Sequence, residues 1–213
     1  MSDMGSPALI HQPRRKDQAI VAFDFDGTLT VRDSFTQFLR WRAGAGGWFG
    51  GLARMAPDLI GYVGHRDRGR LKAASVREFL KGTPRTQLEA DAEAFAGQVW
   101  PGFIRYDAFA CWNDWGRKGA YRVIVTASPE TTVAPFARRL EADSLLGTRL
   151  VFDADDRVTG AFAGQNCRGE EKVRRLRAAF GEDMQLAAAY GDTTGDTEML
   201  AVAEEAGFRR FKG

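Results

Sequence analysis

In the stretch AIVAFDFDGTLT, residues 19–30, four apolar residues from Ile20 to Phe23 lead into Asp24 and Asp26. In an extended segment, side chains two apart point to the same side. Two carboxylates held there repel each other unless something cationic sits between them. Taken alone, Asp-Gly is also a common turn signal, so an acidic turn is the simpler reading. Two later apolar runs end in a similar way. Residues 121–125 run into Thr126, Ala127 and Ser128, and residues 186–190 into Gly191-Asp192-Thr193-Thr194-Gly195-Asp196. Lys172 adds a cation ahead of the last run. Carboxylates, a hydroxyl and an ammonium drawn into one crevice make a site for Mg²⁺ and a phosphate group. Hard cations take oxygen ligands and keep substrate phosphate in their shell.

These residues meet only if the runs are neighbouring parallel strands, because ligands in open α/β sheets sit beyond the carboxyl ends of the strands. The pattern fits. It predicts a strand at 19–24, a long helical region from Asp33 to about Gly119, a strand at 121–126 and a helix from Pro129 to Leu140. A hairpin follows, with arms at 148–153 and 157–162 around Asp155-Asp156. Then come a helix over 170–180, a strand over 186–190 and a last helix over 197–206. Strands alternating with helices argue an α/β fold with a parallel sheet covered on both faces. The helical stretch after the first strand breaks that rhythm and reads as a cap. The expected division is a flexible tail at 1–18, a catalytic core at 19–32 and 119–213, and a helical cap at 33–118.

Composition narrows the function classes. A net charge of +2 is too small for a nucleic-acid binder. Cys111 and Cys167 show no metal or redox spacing and are read as reduced, in a cytoplasmic protein. Residues 1–18 lack the apolar core of a signal peptide, and no uncharged run reaches transmembrane length.

In order along the chain, DFDGTLT, VIVTAS, GEEK and GDTTGD resemble the four motifs of the haloacid dehalogenase-like (HAD) hydrolase superfamily. With the cap between the first two, the chain is similar to subfamily IB, which holds phosphoserine phosphatase-like enzymes and relatives of phosphatidylglycerophosphatase C. The resemblance implies a Rossmann-like core and Mg²⁺-dependent hydrolysis of a phosphate ester. Asp24 matches the nucleophile that forms an aspartyl-phosphate, and Asp26 the general acid and base whose main-chain carbonyl also meets the metal. Thr126, with Ala127 beside it, matches the phosphate-binding hydroxyl segment, and Lys172 the cation that offsets charge. Arg168, one helical turn earlier, is the alternative to Lys172. Asp192 matches a metal ligand and Asp196 a support of the metal site, although Asp196 also suits an N-cap. Main-chain amides around Gly27 and Thr28 would face phosphate. Asp26 argues against dehalogenases, which lack the second carboxylate. Phe25 argues against ion-pumping ATPases, which carry lysine there.

The cap should choose the substrate. Asp33 matches a carboxylate that holds the substrate ammonium in phosphoserine phosphatase, or it simply caps the next helix. Val76 stands where that enzyme's cap carries an arginine, and Val cannot clamp a carboxylate, so phosphoserine is disfavoured. Trp48, Leu52, Met55, Leu59 and Tyr62 recur at helical spacing beside the basic cluster of Arg66, Arg68 and Arg70. That combination suits weak docking on an anionic membrane and a lipid-linked phosphate such as phosphatidylglycerophosphate. The same stripe equally suits packing inside the cap, with a small soluble phosphate ester as substrate. A regulatory HAD-fold protein that binds a membrane or partner through its cap is the non-enzymatic alternative.

Overall fold

The structure, a computed structural model, describes residues 10–65 and 68–213. In chain order, β1 (Ile20–Phe23) and a tight turn at Phe25–Leu29 lead into α1 (Ser34–Arg54), α2 (Ala56–His65), α3 (Arg68–Phe79), α4 (Arg85–Phe103) and α5 (Tyr106–Arg117). Next come β2 (Tyr121–Pro129), α6 (Glu130–Arg139), β3 (Ser144–Thr148) and a hairpin of β4 (Leu150–Phe152) and β5 (Val158–Phe162). The chain continues through α7 (Glu170–Phe180), β6 (Leu186–Gly191), the short α8 (Thr197–Ala201) and β7 (Ala203–Phe208).

The five-stranded sheet has the order β3-β2-β1-β6-β7, and its pairings are all parallel. Every residue of β1 is buried, as expected of a central strand covered on both faces. Phe23 pairs with Ile124 on one side and Tyr190 on the other, so β1, β2 and β6 end side by side. This alignment carries the three oxygen-rich strand ends to one edge of the sheet.

Two strands and one helix length differ from the sequence expectation. β3 was not anticipated, because five buried residues directly after a helix give no period to read. The last helix was expected to run to Ala206 but stops at Ala201, and Ala203–Phe208 becomes an edge strand paired with β6 from Leu186↔Ala203 to Gly191↔Phe208. Glu204 and Glu205 give this segment a helical look. At an edge they point outward, and ladder hydrogen bonds override local propensity.

The helices between β1 and β2 share one hydrophobic cluster with the sheet. On α4, Phe95 and Phe103 pack against Phe136 of α6 at 6.1 and 5.7 Å between ring centres. On α5, buried Trp112 stands edge-on to Phe23 at 5.1 Å and donates its indole N–H to the Leu140 carbonyl at 2.8 Å. The hairpin ties the far end of α3 to the core, with the Gly82 amide donating to the Val158 carbonyl at 2.7 Å.

The apolar stripe of α1 and α2 is turned inward. Trp48 stacks on Phe79 of α3 at 5.2 Å, Met55 is buried, and Leu52, Leu59 and Tyr62 are half-buried. A Cβ on Gly51 would lie 2.3 Å from the Phe79 ring, so only glycine permits this approach of α1 to α3. With Trp48 stacked on Phe79 and Met55 buried, the stripe packs within the cap rather than forming a free apolar face. Among the described residues, Trp41 (37% exposed), Phe49 (67%) and Ile60 (74%) are the large apolar residues these helices leave outside. Arg66 lies outside the described residues. Among the described residues, no helix is long and apolar enough to cross a membrane.

Candidate active site

Asp24 leaves β1 with its amide still in the ladder, donating to the Tyr190 carbonyl at 2.8 Å. Its carboxylate is buried and meets Lys172, which arrives from the first turn of α7. The Lys172 ammonium donates to Asp24 Oδ1 and Asp196 Oδ1 at 2.6 Å each and to the Val125 carbonyl at 2.7 Å. An ammonium has three protons, so all its donors are committed. Burial alone would lower the lysine's pKa, but Asp24 and Asp196 outweigh it and hold the ammonium above its ordinary value. Arg168 does not reach this cluster. Its guanidinium lies against Gly195 and donates to Thr194 Oγ1 at 3.1 Å.

Asp196 braces the loop after β6. Its Oδ2 accepts from the Asp192 and Thr193 amides at 3.2 and 3.0 Å and from the Thr193 hydroxyl at 3.1 Å. Burial would raise its pKa, yet Lys172 and these donors keep the carboxyl below its ordinary value. With both oxygens engaged, Asp196 supports the site from behind. Asp192 differs: its Oδ1 is buried with no hydrogen-bond partner. Burial and then Asp196 push its carboxyl upward.

Gly27 makes the close approach to Asp192 possible. At φ +82° it adopts a left-handed turn, and a Cβ there would lie 2.3 Å from Asp192 Oδ2. Its amide donates to Thr30 Oγ1 at 3.2 Å, so that donor is spent within the turn rather than presented to a ligand. The Thr28 hydroxyl is buried and lies 3.5 Å from Asp24 Oδ2. Thr126 is fully buried, and its hydroxyl accepts from the Ser128 amide at 3.0 Å.

Asp26 stands outside the cluster that Asp24, Asp192 and Asp196 form. Its Oδ1 accepts from the Ser34 amide at 2.6 Å and its Oδ2 from the Ser128 hydroxyl at 2.5 Å. Burial and Asp33 raise its pKa against the opposing pull of Lys72, Ser128 and Ser34. Asp33 itself caps α1, accepting from the Thr36 amide at 2.7 Å. Burial also pushes the Asp24 carboxyl up to about 7, against the pull of Lys172.

The carboxylates of Asp24, Asp192 and Asp196 form one cluster, with ligand atoms within 4.8 Å of one another. A buried, unpartnered carboxylate oxygen beside a second carboxylate whose ionised form burial disfavours suits a hard divalent cation, whose charge would offset that cost. The cluster opens into a cavity of about 600 Å³, whose wall includes Asp26, Asp33, Ala127 and Arg168. Arg105 holds the turn below it, donating to the Gly27 and Thr30 carbonyls at 3.1 and 3.2 Å. Lys72 reaches in from α3, donating to the Ala127 carbonyl at 3.1 Å and Ser128 Oγ at 3.2 Å. Neither Lys72 nor Arg105 was singled out from sequence. Lys72 sits in a basic run that reads as a solvated helix face, and nothing in one sequence joins position 72 to position 128.

Comparison with known proteins agrees with this arrangement. The family model for haloacid dehalogenase-like hydrolases matches residues 21–201. Protein CicA of Caulobacter vibrioides is 59% identical over 194 residues, covering 91% of this chain and 87% of that protein. A Bordetella pertussis protein of unknown function shares the fold at a TM-score of 0.73 and 24% identity, over 86% of each chain. A phosphoserine phosphatase, solved as a phospho-aspartyl intermediate analogue, shares it at 0.58 and 20% identity, over 88% of this chain and 84% of that one. On its motifs, its sheet and this match, the chain belongs to the haloacid dehalogenase-like hydrolases.

Proposed function

We propose that the protein is a Mg²⁺-dependent phosphomonoesterase that works through an aspartyl-phosphate on Asp24. The observation that carries this reading is the buried Lys172–Asp24 pair beside the unpartnered oxygen of Asp192. Lys172 fixes Oδ1 of Asp24, leaving Oδ2 with only the long contact from Thr28. Oδ2 attacks phosphorus, the bond from phosphorus to the alcohol oxygen breaks, and Asp26 gives its proton to the departing oxygen. Water then attacks the aspartyl-phosphate and passes a proton to Asp26, releasing phosphate and restoring both carboxyl groups. The raised pKa of Asp26 suits a group that must first carry that proton. Asp24 and Asp192, with the Asp26 main chain and with Asp196 behind, would hold Mg²⁺, whose positive charge would let a carboxylate approach a phosphate dianion. Ala127 lines the cavity where the phosphate would sit, with Thr126 buried beside it in the chain, and residues 33–118 would serve as the cap that encloses the substrate.

The substrate we favour is a lipid-linked phosphate. An apolar groove of about 690 Å³ between α1 and α4, with Trp41, Phe49, Phe95 and Val99 in its wall, shares Val31, Arg32 and Trp48 with the catalytic cavity. A tail leaving the cavity past Trp48 would lie in that groove. Val76 is fully buried, so it offers no carboxylate clamp, and phosphoserine remains disfavoured. Weak docking on the cytoplasmic face of a membrane would rest on exposed Phe49 and Ile60 and on the basic run at residues 66–70.

Phosphate release from an aryl phosphate tests the chemistry. We expect turnover with Mg²⁺, none with chelator, none in Asp24→Asn although that variant stays folded by circular dichroism, and beryllofluoride loading on Asp24 of the wild type. Substantial turnover by Asp24→Asn would overturn the covalent mechanism. Phospholipid phosphates in detergent should outcompete short soluble esters, and vesicle co-sedimentation should weaken with salt. A clear preference for short esters would defeat the lipid assignment.

A further inference from the structure

Lys72 lies in none of the strand-end stretches, yet its ammonium reaches the working end of the cavity. It crosses the Phe35 ring, with Nζ 5.6 Å from the ring centre, before meeting the Ala127 carbonyl and Ser128 Oγ. Ser128 hands its own proton to Asp26. The cation therefore stands two hydrogen bonds from the carboxyl assigned to protonate the leaving oxygen. Both of its partners are neutral oxygens, and among the described residues it forms no ion pair. A third ammonium proton remains for a ligand.

The charges around it are uneven. At the floor of the cavity, Lys172 and a bound divalent cation would balance the acids. Arg32 and Arg68 line the cavity with Lys72, three cations against the single carboxylate of Asp33, which caps α1. An alcohol oxygen that takes its proton from Asp26 leaves beside a carboxyl two hydrogen bonds from Lys72. A neutral alcohol leaves Lys72 on its carbonyl. An alcohol with a second negative charge a few bonds from the ester oxygen draws the ammonium into a charge-assisted hydrogen bond, which is stronger than a bond to a neutral oxygen.

We propose that Lys72 is a specificity-determining residue that selects phosphate monoesters whose alcohol carries a second anionic group, either a carboxylate or a phosphodiester. The proposal rests on the phosphatase reading and deepens it by naming the substrate class. Three esters on one carbon skeleton test it: propyl phosphate, its analogue with a terminal carboxylate, and its analogue with a terminal methyl phosphodiester. The measured quantity is the ratio of kcat/KM for each charged ester to that for propyl phosphate, in wild type, Lys72→Met and Lys72→Arg.

We expect a wild-type preference for at least one charged ester. It should fall roughly 10- to 100-fold in Lys72→Met, mainly through KM, and largely survive in Lys72→Arg. The two charged arms distinguish a carboxylate from a phosphodiester as the anion recognised. A parallel fall for all three esters, with the ratio preserved, would make Lys72 a structural tie between α3 and the loop after β2 and overturn the proposal. So would equal ratios in wild type and Lys72→Met. Calorimetric binding of the corresponding non-hydrolysable phosphonates to Mg²⁺-loaded Asp24→Asn reads the same preference without turnover. Absence of turnover on every ester would thus count against the phosphatase reading alone.

Discussion

Replacing Lys172 with Met keeps most of the side-chain volume and removes the charge. The ammonium is 1% exposed, as is its partner Asp196, and Asp24 is nearly as deep. The substitution leaves two buried carboxylates and the Val125 carbonyl without their donor. Removing one partner of a buried ion pair costs about 3–5 kcal/mol, a large share of the roughly 5–15 kcal/mol that holds a domain folded. The loss must also depend on pH. Without the ammonium, the folded-state pKa of both carboxyls rises. The folded chain then holds protons that the unfolded chain has already released, so stability falls as pH climbs through that window. Urea unfolding followed by tryptophan fluorescence, with chelator present, should give the full loss at pH 8 and a smaller one at pH 6. Added Mg²⁺ should restore part of it at pH 8, because a second cation then neutralises Asp24. A variant within about 0.5 kcal/mol of wild type at pH 8, the usual range for a surface change, would refute the assignment. An equal loss at both pH values would assign it to packing rather than charge.

Gly27→Ala should destabilise the fold by about 1–2 kcal/mol through its left-handed backbone. It should also weaken Mg²⁺ binding by roughly tenfold or more, because the new methyl group must push Asp192 aside; unchanged metal affinity by calorimetry would contradict the role given to Asp192. Mg²⁺ affinity of the wild type should rise as pH climbs toward 7 and level off above it. Burial holds the Asp24 carboxyl up at about 7 and its proton must leave for the metal to bind. An affinity flat between pH 5.5 and 8 would show that Asp24 is already ionised in the metal-free protein.

The three strand ends were legible because each couples an apolar run, which fixes a buried strand, to polar residues that such a strand does not need for itself. Asp24, Asp192, Asp196 and Lys172 are brought together from runs read in this way. Lys172 separates from Arg168 only in three dimensions, since one helical turn leaves both within reach on paper. The inward turn of Trp48 and Met55 was not readable, because an amphipathic stripe has the same period whether it faces a membrane or another helix. It is α3, with Phe79 at the close approach to Gly51, that decides. β7 was hidden because its pairing with β6 is tertiary and its own residues favour a helix. Lys72 and Arg105 come from the helical insert, where charged residues are ordinary surface composition.

The Lys172 ammonium also bears on how the chain folds. It touches Asp24, Val125 and Asp196, which lie 148, 47 and 24 residues away in sequence. Burying it beside fewer partners leaves a desolvated charge, so no partly assembled sheet gains from closing around it. Its first contact also spans the whole helical insert, and long closures are made late because their entropy must be met before any contact offsets it. The cluster therefore forms after β1, β2, β6 and α7 have docked, and substitutions at Lys172 should speed unfolding far more than they slow folding. A chain emerging from synthesis would complete its sheet before the Lys172 cluster closed, so half-folded forms would not carry the paired carboxylates of the site.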